Sequence, residues 1–169
     1  MTILLLSNEV LSDLKLKAFE SPRLRQHLNL HESYVEPSQR FLNAIYSNSY
    51  IRPHFHDPEQ GNETLVVISG VVALLIFTDG GEILEINLLG SERHLGDQVL
   101  SVGAEIPPGT WHSVVAWSDP AVLLEIKSGP FDPDKPKHFA SWAPVENIES
   151  SQKYLEFLRQ AIAEVARCY

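Results

Sequence analysis

Two histidines one residue apart, His54 and His56, constrain this chain more than any other feature. Successive side chains on a β-strand point to opposite faces, so on a strand the two imidazoles share one face about 7 Å apart along the chain. Two imidazoles placed so can meet one ion. Alone, the spacing is usually met by ordinary satisfied or exposed histidines. Here it is joined by Glu63, followed seven residues on by Gly70, and by the turn Pro107-Pro108-Gly109-Thr110-Trp111-His112. Neutral imidazole is the commonest protein ligand for first-row transition metals, and a carboxylate with a third imidazole completes a three-histidine, one-glutamate set.

The remaining composition narrows the class. At 169 residues the chain fits one domain with a core large enough to be stable alone. A net charge of −9 with no run of Lys or Arg excludes a nucleic-acid surface. The single cysteine, Cys168, leaves no intramolecular disulfide and suits a reducing compartment. The apolar run Ile3 to Leu6 is too short for a signal-peptide core, and no stretch approaches the roughly 18 apolar residues of a membrane span. The expectation is a cytoplasmic protein without a membrane partner.

Periodicity predicts a short helix over Asn8 to Glu20, a strand, and a second short helix opening at Pro37. Strands follow near Tyr50 to His56, Thr64 to Ser69, Val71 to Thr78, Ile83 to Leu89, Gln98 to Ile106, Ser113 to Trp117 and Ala121 to Lys127, with Asp79-Gly80-Gly81 as a hairpin turn. Many short strands without intervening helices indicate a closed or double-sheet antiparallel barrel. After Pro130 a proline-rich tail ends in an amphipathic helix from about Ser150 to Arg167.

The His-x-His, Glu-x₆-Gly and Pro-x-Gly-x-x-His segments together resemble the two motifs of the cupin superfamily. That resemblance implies a mainly β fold, the cupin double-stranded β-helix or jelly-roll barrel, here with short N-terminal helices and a C-terminal helix. Residues 1–48 are then helix–strand–helix elements packed on the barrel, 49–130 the barrel and 131–169 a loop and helix, all in one structural domain. Two departures stand out. Six residues separate His56 from Glu63, more than is usual, so Glu59 and Gln60 in that loop remain weaker candidate ligands. The second motif has Ser101 in place of its leading glycine and Ala116 in place of its closing asparagine.

If the strand carrying the histidines is regular, Arg52 shares their face. In the last strand Glu125 and Lys127 share one face, turned either into the barrel mouth or to solvent. A further alternation, Arg23, Arg25, His27, Asn29 and His31, reads either as a half-exposed strand or as one lying across the pocket mouth or a neighbouring subunit.

The segments Arg23 to His31, Gln39 to Ala44, Tyr50 to His56, Ile106 to His112, Glu125 to Pro130 and Phe139 to Pro144 look like the WbuC-type cupin-fold metalloproteins. This narrower resemblance spans about Leu11 to Glu146. It implies a metal-binding cupin, encoded in some bacteria with enzymes of O-antigen (lipopolysaccharide) synthesis, and carries the metal positions onto His54, His56, Glu63 and His112. It supplies no reaction.

Such a site takes one divalent transition metal (Fe, Mn, Ni or Zn), and an octahedral ion would keep two open positions. A keto-sugar, 2-oxo acid or hydroxy acid chelates there through two oxygens. Arg52 or Lys127, with Arg23, Arg25 and His27 as additions, pairs its charge, and Glu125 with Arg52 serves the chemistry. The first hypothesis is therefore an isomerase, epimerase or lyase acting on a nucleotide sugar or small oxygenated acid, with Fe(II)-dependent dioxygenation as a variant. The second is a non-catalytic sugar- or carboxylate-binding or sensing module, and the third a structural protein with a vestigial site. A small anionic ligand and a homodimer are the expected partners.

Overall fold

The computed structural model describes residues 3–90, 101–132 and 137–167. Helix α1 (Asn8–Glu20) opens on Ser7, whose side chain accepts a hydrogen bond from the Val10 N–H, an ordinary N-cap. Ten strands follow among the described residues: β1 (Arg25–Asn29), β2 (Ser38–Ile45), β3 (His54–Phe55), β4 (Glu63–Ser69), β5 (Val71–Phe77), β6 (Ile83–Gly90), β7 (Gly103–Ile106), β8 (His112–Ala116), β9 (Ala121–Ser128) and β10 (His138–Phe139). Helix α2 (Glu149–Arg167) ends the described chain. The strands form two five-stranded sheets, β1-β2-β9-β4-β7 and β10-β3-β8-β5-β6, with antiparallel pairing throughout the ladders.

Apolar side chains divide into three layers. Ile45, Leu65, Val67, Val72, Leu74, Val114 and Leu123 fill the space between the sheets. On the outer face of the second sheet, Val71, Ala73, Leu75, Phe77 and Val115 meet Leu155, Leu158 and Ile162 of α2. Leu14 and Ala18 of α1 cover Leu42, Ala44 and Val122 on the outer face of the first. Strand β5 is thus buried on both faces, which explains why Val71 to Phe77 reads as a continuous apolar run.

The tight β4–β5 connection requires Gly70. Its φ is +79°, and a Cβ there would run into the Ser118 hydroxyl and lie 3.1 Å from the Pro120 carbonyl.

Several sequence expectations need correction. Pro37 precedes strand β2, not a helix: residues 38–45 pair in register with β9 and Phe41 to Ile45 pair with β1 as well, and these ladders override the local helix-start signal. The expected strand from Tyr50 shrinks to His54–Phe55, with Tyr50 to Pro53 outside any strand. The expected strand Arg23 to His31 is regular only over Arg25–Asn29, since Leu24 sits at φ +53° and breaks the alternation at its start. The expected strand from Gln98 begins outside the described residues, as does Cys168.

Candidate metal centre

Four side chains from both sheets converge at one end of the barrel. His54 on β3 and His112 on β8 are register partners in the second sheet, while Glu63 on β4 lies opposite Lys127 on β9 in the first. His56 follows β3 directly. The 107–110 turn is tied down by the Gly109 N–H, which donates to the His56 carbonyl at 2.9 Å. Gly109 has φ +77°, a conformation that favours glycine. His54, His56, Glu63 and His112 are all buried, and their candidate ligand atoms lie within 4.8 Å of one another.

Hydrogen bonding orients every ring. His54 Nδ1 is 2.9 Å from the Arg52 carbonyl, His112 Nδ1 is 2.8 Å from the Thr110 carbonyl, and His56 Nδ1 is 3.2 Å from Gln60 Oε1. An oxygen acceptor at each Nδ1 places the proton there and leaves Nε2 as a lone pair. The Nε2 atoms of His56 and His112 each stand 3.2 Å from Glu63 Oε2. Two ligands held about 2.1 Å from an ion at a right angle are about 3.0 Å apart, so these separations fit neighbouring donors around one metal. Glu63 Oε2 is itself buried without a hydrogen-bond partner. Nitrogen and oxygen lone pairs packed this way repel unless a cation sits between them, and the donor set therefore fits a divalent ion.

Of the three candidates for a fourth donor, Glu63 is the one that joins the histidine cluster. Glu59 is exposed, and Gln60 holds the His56 ring instead of pointing at the cluster's centre.

A second ring of charge surrounds the donors. Lys127 Nζ lies 2.8 Å from Glu63 Oε1, 3.2 Å from His56 Nε2 and 3.7 Å from Glu125 Oε2. Asn43 donates to Glu125 Oε1 at 2.7 Å. Desolvation alone would raise the Glu63 pKa, but the pull of the Lys127 charge opposes it and the carboxyl is held well below the usual range. Glu125 is pushed the other way by desolvation, against the pull of Lys127. Desolvation would lower Lys127, yet Glu63 and Glu125 win and raise it. One ammonium thus bridges two buried carboxyl groups whose pKa values are driven apart.

Burial, the leading cause, lowers His54 far below its ordinary 6.5 and lowers His56 as well. Both rings stay neutral in the folded chain where unfolded imidazoles already bind protons. Their contribution to stability is complete above pH 6.5 and is lost as the pH falls below it; Glu63 adds a second loss below pH 4.5. The melting temperature of the metal-free protein should accordingly drop between about pH 7 and pH 5. Thermal melts across that range check this, and a flat or rising profile contradicts it.

Two cavities meet at the cluster. One, of about 90 Å³, is bounded by His54, Glu63, His112, Glu125 and Arg25; the other, of about 200 Å³, opens past His56, Glu63 and Lys127 toward Tyr34, Phe41 and Phe131. Glu125 and Lys127 accordingly face inward. His27 lines both cavities, lowered to about 4 by desolvation and then by Lys127 and Arg25. Arg25 lines the smaller one, but its guanidinium is committed to Ser49 Oγ, the Tyr50 carbonyl and Glu146. Arg23 is exposed at the same cavity's edge. The position of Arg52 corrects the expectation: Nε and Nη2 donate to the Ala140 carbonyl at 3.1 and 2.6 Å, and the guanidinium stacks 5.6 Å from the Phe139 ring centroid. Its backbone is not strand, so strand alternation does not turn it toward the histidines, and it lines neither cavity. Sequence reasoning missed Asn43, the partner of Glu125, and Lys137, which lines both cavities from the proline-rich tail. Only Asn43 had a signal, a polar residue interrupting the apolar end of β2.

Residues 6–89 match the family described as a domain of unknown function, DUF6016. No curated protein matches the chain. Among solved structures, the capsular polysaccharide assembling protein CapF from Staphylococcus aureus aligns over 70% of this chain and 32% of its own at a TM-score of 0.53 and 20% identity. Protein SO0799 from Shewanella oneidensis aligns over 64% and 69% at 0.50 and 11% identity. The fold is the cupin jelly-roll barrel. This chain spans about a third of CapF. No described helix is long and apolar enough to cross a membrane.

Proposed function

We propose that this chain is a metal-dependent enzyme of the cupin fold, acting on a nucleotide sugar or small oxygenated acid by isomerisation, epimerisation or a lyase reaction. The observation that carries it is the convergence of three oriented Nε2 atoms and Glu63 at the meeting of two cavities, with Glu125 and Lys127 beside them. His54, His56, Glu63 and His112 would hold the ion. A divalent ion bound there acts as a Lewis acid on a substrate carbonyl or hydroxyl. Glu125, buried next to that position, takes a proton from the carbon adjacent to the carbonyl and returns it. Lys127 balances the charge of Glu63 and Glu125 while the proton moves. The resemblance to WbuC-type cupins supports a place in O-antigen polysaccharide synthesis, and a capsular polysaccharide assembling protein shares the fold.

The test is incubation of the metal-loaded full chain in D₂O with a panel of nucleotide sugars, sugar acids and 2-oxo acids, read by NMR. Deuterium should enter the substrate, and Glu125→Gln should slow entry by about 10²–10⁴-fold with metal content kept. Binding without exchange or turnover would make the protein a sensing module instead, and oxygen consumption with the Fe(II) form a dioxygenase.

A further inference from the structure

The larger cavity has a wall unlike the metal end. Tyr34, Phe41 and Phe131 give it aromatic faces, Asn29 and Asn62 give it neutral hydrogen-bonding groups, and Glu63 at its floor is its only carboxylate among the described residues. Tyr34 and Phe131 pack with ring centroids 5.1 Å apart, and Phe41 packs on His27 at 4.7 Å. His31 Nε2 and Gln39 Oε1, both side chains of this wall, are buried with no hydrogen-bond partner. The His31 ring is fixed at its other nitrogen by the backbone of Arg40, whose N–H lies 3.0 Å from Nδ1. Apolar ring faces interleaved with neutral donors and acceptors suit a hydroxylated ring, whose hydroxyls both donate and accept.

The cations around the cavities are not equivalent. Lys127 is committed to Glu63 and Glu125, and Arg25 to Glu146. Lys137 lines both cavities, rests 5.2 Å above the Phe139 ring and forms no ion pair among the described residues. Desolvation, and then repulsion from Lys127, lower its pKa to about 8. Half-buried, facing a second ammonium and without an ion-pair partner among the described residues, it is costly until an anion joins it.

We infer that Lys137 determines specificity, pairing the carboxylate or phosphate of a monosaccharide-sized sugar acid or sugar phosphate whose ring occupies the larger cavity and whose oxygens reach the metal cluster. The inference deepens the proposed function and rests on its reading of the four-residue cluster. It narrows the substrate to one whose anionic sugar ring is itself what the cavity of about 200 Å³ takes in.

Calorimetric titration of the zinc-loaded full chain with glucuronate, glucose 6-phosphate, glucose, succinate and UDP-glucose tests it, with metal content measured in every sample. Glucuronate or glucose 6-phosphate should bind at least tenfold tighter than both glucose and succinate, and which of the two prevails assigns carboxylate or phosphate. Lys137→Met should abolish the advantage over glucose and Lys137→Arg should restore it, both with unchanged zinc. Equal binding of charged and neutral sugars, equal binding of succinate, tighter binding of UDP-glucose, or a preference that survives Lys137→Met overturns the inference. A preference kept by protein that holds no zinc instead sinks the metal reading and leaves the anion subsite standing. The ligand-side comparison in the unaltered chain decides even if a variant folds poorly.

Discussion

Lys127→Met should destabilise the metal-free protein by about 3–5 kcal/mol, the scale for removing one partner of a buried ion pair. The ammonium is the shared counter-ion of two carboxylates from different strands, 2.8 Å from Glu63 and 3.7 Å from Glu125, and both acids are buried. Without it, Glu63 and Glu125 face each other across a space with low polarisability, and one of them must take up a proton. Adding Glu125→Gln to Lys127→Met removes the like-charge repulsion, and part of the loss should return. A bound divalent ion supplies the missing positive charge at Glu63, so the same substitution should cost less in the metal-loaded protein. Urea denaturation of the four species, with and without metal, measures each difference. Equal losses in the two states would mean that the ion and Lys127 do not share Glu63.

Removing a donor should be as damaging to metal binding as Lys127 is to stability. A four-donor site binding with about 10–16 kcal/mol distributes roughly 3 kcal/mol to each ligand, so His112→Ala should weaken binding by at least about 100-fold. His54→Ala should do the same, and the two together should abolish stoichiometric metal. Glu59→Ala should leave it unchanged, because Glu59 is exposed and away from the centre. Competitive titration with a chelator of known affinity reads these values. Metal content unaffected by the paired histidine change removes the site from the account.

Much of this architecture was legible from local pattern. Helix α1 runs over the predicted residues and α2 begins one residue earlier than expected, since both present apolar stripes at helical spacing. The strands from β4 to β6, β8 and β9 fall where runs of branched and apolar residues predict them. The four candidate donors were legible because their spacing survives an irregular strand: His54 and His56 converge although only His54 lies on β3. Arg52, two residues earlier, was misread for the same reason, as Tyr50 to Pro53 leave the strand and the side chain turns to the Ala140 carbonyl. Strand β2 hid behind Pro37, because a proline that can start a helix also suits the entrance to a strand, and only pairing with β1 and β9 decides between them. The inward turn of Glu125 and Lys127 could not come from alternation alone, which fixes that they share a face and not which face it is. Lys137 arrives at the cavity through tertiary packing of a segment with no period of its own, and so left no trace in the sequence.

The most direct test is an anomalous-scattering crystal structure of the protein loaded with one equivalent of a transition metal. The account predicts one ion bound by His54 Nε2, His56 Nε2, His112 Nε2 and a Glu63 carboxylate oxygen, each within roughly 2.0–2.3 Å. An ion held by Glu59 or Gln60 with Glu63 turned away, or no ion at the four residues, contradicts it.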